Sequence, residues 1–345
     1  MSRNASPTNF GFEYQINVAI YFMFWYLKDI LTIRVEGEKE DVEIQLKDKK
    51  KLMIQAKSQA IDLSDTTNLN RNLKSALTGL SESDNSDVQF LFYACNSIDP
   101  LNSKKNDFDE PGVGIKKYKE LNNDSKNAID SQVESILNAK GEEYNIDREK
   151  LVIIRIPFFG DFGDQRYKYI ISKEKEKLSL MSENLVNRAN TIRQYWESKF
   201  LDNSSSNPKI TIKKDEICNC IILTELDNYD FSKVYENLEI DETAFDEAYS
   251  EFKRIIDKRV NKYENITKVY SLYLMSTKNK KISISNFVIQ EKIKLYNYFF
   301  EKNANSLDEI SASEKSNLYV SQIIAYAILR KKSIIEKIEE EVGAW

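Results

Sequence analysis

The chain has 345 residues, 41% of them hydrophobic and 30% charged, as expected for a soluble globular protein long enough for two domains. Its formal net charge is -5, so contact with nucleic acid would need a locally basic surface or a partner. Histidine is absent, which excludes Ser-His-Asp and Cys-His catalysis, zincin helices and histidine-metal phosphodiesterases. Any hydrolytic chemistry must therefore use carboxylates, lysine and a metal ion bound through oxygen.

Targeting signals and other common motifs are missing as well. The apolar stretch of residues 18–27 is too short to cross a bilayer and lacks the flanks of a signal peptide, so we expect a cytoplasmic protein without a membrane segment. No Gly-x-x-x-x-Gly-Lys-Ser/Thr loop is present, which excludes a P-loop ATPase. Cys95, Cys218 and Cys220 cannot build a disulfide framework or a zinc site, and we expect buried thiols.

The first part of the chain predicts an αβββαβ order. Residues 11–29 are apolar on almost every side, as in a buried helix. Three short runs have the alternation or composition of strands, at residues 32–36, 41–46 and 52–58. Helical spacing over residues 67–81 predicts a second helix, and the apolar, β-prone run at 88–94 predicts a central strand.

The remainder predicts a further strand and mostly long helices. All five prolines lie at or before Pro208, and no glycine occurs between Gly163 and Gly343, which favours helices. Residues 204–208 are typical of a hinge, which predicts domains at 1–205 and 206–345, the second mainly helical. The predicted elements are a loop at 99–123, helices at 125–139 and 174–200, strands at 151–159, 210–213 and 217–223, and helices at 243–263, 285–302 and 316–341.

The second and third strands predict a hairpin with one apolar and one polar face. Side chains alternate along a strand, and the odd-numbered positions are polar apart from Met53. A turn centred on Lys49 would place Asp41 opposite Lys57 and Glu43 opposite Gln55. Any two-faced antiparallel hairpin alternates in this way, and an opposed charge pair contributes only ~0.2–1 kcal/mol. An ordinary surface ion pair therefore remains the alternative to an active site.

The strand order and the polar positions together resemble the PD-(D/E)xK nuclease superfamily. In that family an acid begins the second strand and an acid-x-Lys triplet lies on the third. Asp41 matches the first position and Gln55-Ala56-Lys57 the second, with glutamine replacing the acid as in the Gln-x-Lys branch that includes Mrr-like restriction enzymes. The fold implied is α/β, with a restriction-endonuclease-like αβββαβ core followed by a mainly helical C-terminal domain.

A closer resemblance includes the N-terminal helix. Gly11-x-x-Tyr14-Gln15, Glu36, Asp41 and Ile54-Gln55-Ala56-Lys57 are similar to the double-stranded-DNA endonuclease domain of bacterial anti-phage effectors. This domain occurs in CBASS effectors and in the nuclease subunit of Lamassu-type systems. The expected activity is metal-dependent cleavage of double-stranded DNA.

The resemblance implies a Mg²⁺ site, with Mn²⁺ as an alternative. Asp41 would give a carboxylate oxygen, Gln55 its amide oxygen and Ala56 its main-chain carbonyl, all hard oxygen ligands. Lys57 would hold the attacking water or stabilise the transition state. One carboxylate fewer than in the general pattern predicts weaker metal binding and a single ion.

Two further residues match the motif, and for each a role outside the site remains an alternative. Glu36 would add a second carboxylate, or be a solvated strand end. Gln15 would touch DNA or the metal shell, or be a polar residue at a helix end.

Basic clusters are candidates for contact with phosphates, although such clusters usually form a solvated surface. The first is favoured because it belongs to the hairpin. The clusters are Lys47 with Lys49, Lys50 and Lys51; Lys278 with Lys280 and Lys281; and Arg330 to Lys332.

The C-terminal region has no chemical motif, and its length is more similar to the Lamassu nuclease subunit than to a cyclic-nucleotide sensor. The resemblance then implies an SMC-like ATPase and a third small subunit as restraining partners, and an active homo-oligomer. A stand-alone restriction-like endonuclease and an inert nuclease-like scaffold are the alternatives.

Overall fold

The structure of the protein, a computed structural model, describes residues 7–37, 39–59, 68–159, 163–205, 211–227, 229–231, 234–259, 263–278 and 281–343. The chain separates into two compact units. The first contains residues 1–178 and 189–213, and the second residues 179–188 and 214–345. No helix among the described residues is long and apolar enough to cross a membrane.

The first unit contains a seven-stranded sheet and the helices that cover it. Its strands are β1 (Ile30–Val35), β2 (Val42–Leu46), β3 (Lys51–Lys57), β4 (Val88–Cys95), β5 (Gly114–Lys117), β6 (Leu151–Arg155) and β7 (Ile212–Lys213). Its helices are α1 (Pro7–Trp25), α2 (Leu69–Ser83), α3 (Asn123–Lys140), α4 (Gly163–Arg166), α5 (Lys168–Leu178) and α7 (Ala189–Ser205). The order α1-β1-β2-β3-α2-β4 confirms the predicted αβββαβ core, and with it the α/β class.

The sheet has the strand order β5-β6-β4-β3-β2-β1-β7. β3, β4 and β6 are parallel, whereas β1, β2 and β3 form an antiparallel meander. Met53 and Tyr93 on one face belong to the same buried cluster as Leu73 and Leu77 of α2. On the other face, Phe22 of α1 packs on Phe92, with ring centroids 4.8 Å apart. β3 is therefore covered on both faces.

The second unit is helical, as predicted for the C-terminal region. It contains α6 (Glu183–Asn187), α8 (Lys214–Asp227), α9 (Val234–Leu238), α10 (Glu242–Arg259), α11 (Tyr263–Thr277), α12 (Ile284–Gln290), α13 (Lys292–Phe300), α14 (Lys315–Arg330) and α15 (Lys332–Val342). α14 is buried on every side from Val320 to Leu329 and packs against α10, α12 and α13. It therefore forms the core of this unit.

Several predicted elements were wrong in type or length. The predicted strand at 217–223 lies in helix α8, where Cys218 and Cys220 are buried free thiols as expected, together with Cys95. The predicted helix at 174–200 is broken: α5 ends at Leu178, and α6 begins after Ser182, whose side chain accepts a hydrogen bond from the Asn184 amide. The helices predicted at 285–302 and 316–341 are each two helices, and the predicted loop at 99–123 contains β5.

Candidate active site

The candidate site lies at the end of the sheet where β2 begins and β3 ends. The predicted pairing was wrong by two residues, because Glu43 lies opposite Met53 and not opposite Gln55. The turn is tighter than predicted: the Leu46 amide donates to the Lys50 carbonyl. Since a two-residue shift preserves the faces of a strand, the polar residues remain together.

Asp41 connects the two strands through its side chain. Its Oδ2 accepts hydrogen bonds from the Ala56 amide at 2.8 Å and from Lys57 Nζ at 3.2 Å. The two charged side chains are 14% and 23% exposed, so the pair is only partly accessible to solvent.

Backbone geometry explains the contact with Ala56. The antiparallel ladder pairs Ile44 with Leu52 and Val42 with Ile54, and the next pair in this register would join positions 40 and 56. The chain turns there instead, because the Gly37 amide donates to the Glu40 carbonyl. The Asp41 carboxylate replaces the missing acceptor. The Ala56 carbonyl lies on the same edge of its strand as the Ala56 amide, so it faces this gap.

Gln55 is buried beneath α2, with 8% of its surface exposed. A Cβ placed on Gly79 would lie 3.1 Å from Gln55 Nε2 and 3.5 Å from Glu40 Oε2. The amide and this carboxylate therefore occupy the space that the missing Gly79 side chain leaves open.

Glu40, which was not predicted as a site residue, is the most buried carboxylate of the cluster, at 3% exposed. Its Oε1 accepts a hydrogen bond from Ser83 Oγ at 2.5 Å. Burial raises the pKa of Glu40 to about 7; the neighbouring Ser83 hydroxyl and Gln55 amide lower the pKa, the Asp41 charge raises it and the Lys57 charge lowers it. The two charged residues that shift this pKa, Asp41 and Lys57, belong to the predicted site.

One signal in the sequence could have identified Glu40. Position 40 has the parity of the apolar residues Val42, Ile44 and Leu46, so an acid there breaks the alternation of the hairpin. Ser83, at the end of α2, carries no comparable signal.

Glu36 and Gln15, two further predicted site residues, are not joined to Asp41 or Lys57 by side-chain hydrogen bonds within the described part of the chain. Glu36 is half-buried in the turn before β2, with a φ of 51° and its amide donating to the Asp41 carbonyl. Gln15 is half-buried on α1. Among the described residues, no side-chain hydrogen bond joins either residue to Asp41 or Lys57, so their roles remain predictions.

The lysine cluster at the hairpin turn lies at the opposite end of the hairpin from Asp41. The cluster comprises Lys47, Lys49, Lys50 and Lys51. A strand rise of ~3.3 Å per residue puts Lys51 about 20 Å from Lys57. Lys50 Nζ donates to the Ser86 carbonyl at 3.2 Å. The cluster cannot contact the same phosphate as Lys57.

The oxygen-bearing groups at this end of the hairpin are of the kinds that a divalent cation binds. Asp41 and Glu40 supply carboxylates, Gln55 an amide and Ala56 a carbonyl, which are the oxygen ligands that Mg²⁺ prefers. Within the described ranges no group of three or more Asp, Glu or Cys side chains could hold a metal ion. Glu40 Oε2 is nevertheless a buried carboxylate oxygen with no hydrogen-bond partner in that part of the chain.

No family model matches the chain, and no curated protein matches it. Similar solved structures include the Cap4 SAVED/CARF-domain containing receptor of Moraxella osloensis, at 15% identity over 65% of this chain and 49% of that chain, with a TM-score of 0.38. The Acinetobacter baumannii Cap4 receptor matches at 14% identity over 62% and 46%, with a TM-score of 0.37. Its structure with the cyclic trinucleotide 3′3′3′-cAAA matches at 14% over 62% and 45%, with a TM-score of 0.36.

The chain spans about half the length of these receptors. At TM-scores below 0.5 this likeness assigns neither a fold nor an activity to the chain.

Proposed function

We propose that the chain is a divalent-metal-dependent endonuclease of double-stranded DNA, with Asp41, Gln55 and Lys57 at its active site. The supporting observation is the contact of Asp41 Oδ2 with both Lys57 Nζ and the Ala56 amide. A hairpin brings residues 15 and 16 apart in the chain close together in any case. The informative contact is the one with the Ala56 amide, because there the Asp41 carboxylate replaces a main-chain acceptor of the ladder.

The residue types suit phosphodiester hydrolysis. Mg²⁺ or Mn²⁺, when bound, would neutralise charge on the phosphate and lower the pKa of a bound water. Asp41 and Gln55 would hold the ion through oxygen, with the Ala56 carbonyl beside them. Lys57, a compact cation, would orient the water or stabilise charge that develops in the transition state. Glu36 and Gln15 would act from the adjoining turn and helix.

The biological role that we propose is that of an effector subunit in bacterial anti-phage defence. The motif resemblance supports this role, with an SMC-like ATPase and a third small subunit as restraining partners. Cutting two DNA strands needs two active sites, so the active form would be a homo-oligomer. Co-purification with a large coiled-coil ATPase would separate this role from that of a stand-alone restriction-like enzyme.

Cleavage of supercoiled plasmid by the purified full chain tests the activity. With Mg²⁺, we expect nicking and linearisation by the wild type, and a loss of about 10²-fold or more for Lys57→Ala, in line with the removal of one transition-state donor. Asp41→Ala should have a comparable effect. Lys119→Ala, which changes an exposed lysine outside the site, is the matched control and should cleave like the wild type.

Two outcomes would count against the proposal. Equal cleavage by the wild type, Lys57→Ala and Asp41→Ala would show that the site is elsewhere. If the wild type fails to cleave in every oligomeric state but still binds DNA, the inert-scaffold alternative is correct. Each protein should therefore be assayed after separation of its oligomers by size.

A further inference from the structure

Glu40 has an environment that hydrogen bonding alone does not explain. Its side chain is 3% exposed, and one carboxylate oxygen, Oε1, accepts a hydrogen bond from Ser83. The other oxygen, Oε2, has no hydrogen-bond partner within the described part of the chain. Leaving a buried polar atom unsatisfied costs ~1–3 kcal/mol, and more for a charged group. An ion or an ordered water commonly accounts for such an exception.

The surroundings of Glu40 favour a cation over a water. Asp41 and Gln55 bring a second carboxylate and an amide to the same end of the hairpin, and the Cβ position of Gly79 lies within 3.5 Å of both Gln55 Nε2 and Glu40 Oε2. Two carboxylates in one partly buried site repel each other. Lys57 Nζ donates to Asp41 at 3.2 Å, but in the described part of the chain no donor bonds Glu40 Oε2. A divalent ion would both offset the repulsion between the two carboxylates and coordinate Glu40 Oε2.

Gly79 keeps this space open. It lies within α2, where glycine costs ~1 kcal/mol relative to alanine. A Cβ at this position would be 3.1 Å from Gln55 Nε2 and 3.5 Å from Glu40 Oε2. The helix thus approaches the two side chains at a residue that leaves room for their polar ends to move.

We infer that Glu40, through Oε2, is a second carboxylate ligand of the divalent cation, and that Ser83 orients the Glu40 carboxylate through Oε1. This inference rests on the proposed function, since it assigns a ligand to the same metal site. It gives the position that the motif resemblance assigned to Glu36 to a residue four positions later. Glu36 lies half-buried in the preceding turn, whereas Glu40 is buried beside Gln55 and Asp41.

Binding of Mg²⁺ and Mn²⁺ alone, in the absence of DNA, tests the inference on the full chain. Titration calorimetry gives the affinity, and the metal-induced rise in Tm reports the same equilibrium through linkage. We expect Glu40→Gln to weaken cation binding at least tenfold while the metal-free protein keeps the wild-type Tm or exceeds it, because a neutral side chain suits a buried position. Glu134→Gln, the same carboxylate-to-amide change at an exposed position of α3 outside the site, should bind the cation within about threefold of the wild type. Glu36→Gln should keep more of the wild-type cation binding than Glu40→Gln. These expected factors follow from the sensitivity of metal sites to their ligands and supporting groups.

Cation binding by Ser83→Ala is a second test of the same site. It removes the hydrogen bond to Oε1 and leaves both carboxylates in place, so cation binding should weaken by a smaller factor than in Glu40→Gln. This variant keeps the test informative if the metal-free Glu40→Gln protein is unstable.

The outcomes distinguish this inference from the proposed function. If Glu40→Gln binds the cation like the wild type and plasmid cleavage is unchanged, Glu40 is not a ligand, although the endonuclease proposal stands. If Glu36→Gln loses binding and Glu40→Gln does not, the ligand is Glu36. If the wild type binds neither Mg²⁺ nor Mn²⁺ and does not cleave DNA, both proposals fail.

Discussion

Asp41 and Glu40 are neighbours in the chain, but their carboxylates have different environments. Asp41 accepts hydrogen bonds from Lys57 and from the Ala56 amide, which satisfy the charged form. Glu40 is buried, and this burial raises its pKa to about 7. A buried carboxyl group with a raised pKa is a common feature of catalytic sites and of structural ion-pair networks.

Gly79→Ala tests the space around the pair without changing a charge. Alanine should add up to ~1 kcal/mol of helix stability, while its Cβ, 3.1 Å from Gln55 Nε2, displaces the amide. We expect an unchanged or higher Tm without metal, and weaker binding of Mn²⁺ by calorimetry. Ser75→Ala, at an exposed position of the same helix, should leave Mn²⁺ binding unchanged. Wild-type affinity in Gly79→Ala would show that the amide does not contribute to the cation site.

At the residue scale, alternation was enough to bring Asp41 and Lys57 to one face of the hairpin. Alternation was not enough to predict which residues pair across the two strands, because the position of the turn sets the register. The turn contains Lys49 with a left-handed φ of 68°, a conformation that lysine does not predict. Glu40 was missed because its environment comes from Ser83 and Gly79 of α2. Such a contact depends on tertiary packing, which the local pattern does not contain.

At the scale of elements, the hairpin places the predicted phosphate-binding lysines of the turn far from the predicted catalytic residue Lys57, although both belong to the same hairpin. The basic turn cluster lies about 20 Å from Lys57 along β3. A duplex rises ~3.4 Å per base pair along each strand, so one duplex could contact both ends only over about six base pairs. A role for these lysines in DNA binding therefore requires DNA that follows the hairpin along its length.

The helical layer formed by α1, α5 and α7 contains a second buried acid. Glu174 of α5 is 0% exposed, and neither carboxylate oxygen has a hydrogen-bond partner in the described part of the chain. Burial raises its pKa well above the ordinary value of 4.5; the Arg193 charge lowers it and the Glu197 charge raises it. The neutral, protonated form is thus the one that the fold favours.

Glu174→Gln should remove a pH dependence of stability. A raised pKa in the folded state contributes stability that is complete below the unfolded value and is lost as pH rises towards the folded value. The gain in unfolding free energy of the variant over the wild type should therefore grow from pH 5 to pH 8, by at most about 1.4 kcal/mol per pH unit. Urea unfolding at each pH measures it. Glu176→Gln, an exposed change on the same helix, should show no such trend, and a constant difference for Glu174→Gln would contradict the assignment.

Helix α8, where the sequence analysis predicted a strand, shows a limit of hydrophobic periodicity as a predictor of secondary structure. Ile217 to Ile222 is buried at every position and apolar apart from Asn219, so the run shows no helical period. A short continuous run of this kind fits a buried strand as well as a buried helix. The acids Asp215 and Glu216 in its first turn, which favour a helix N-terminus, were the informative signal. The breaks near Ser182, Glu291 and Lys331 lack glycine and proline, and the long helices were therefore predicted as continuous.

At the scale of the whole chain, each of the two compact units is built from two separate segments of the sequence. Residues 179–188 belong to the helical unit and Ile212–Lys213 to the sheet unit. The predicted boundary between residues 205 and 206 assigns β7 to the other domain. A hinge composition marks where a chain can bend, but strand pairing decides which unit a segment joins.

The pairing of β7 predicts how the sheet unit should be truncated. Ile212 is 1% exposed and pairs with Ile33, and burial of such a side chain contributes ~1.5–3 kcal/mol. A fragment of residues 1–213 should therefore have a higher urea midpoint than a fragment of residues 1–205. In the full chain, Ile212→Ala should lower the unfolding free energy by ~2–4 kcal/mol, whereas Lys213→Ala, at an exposed position of the same strand, should change it little. Equal midpoints for the two fragments, with Ile212→Ala neutral in the full chain, would mean that β7 is not an integral strand and that the boundary lies before it.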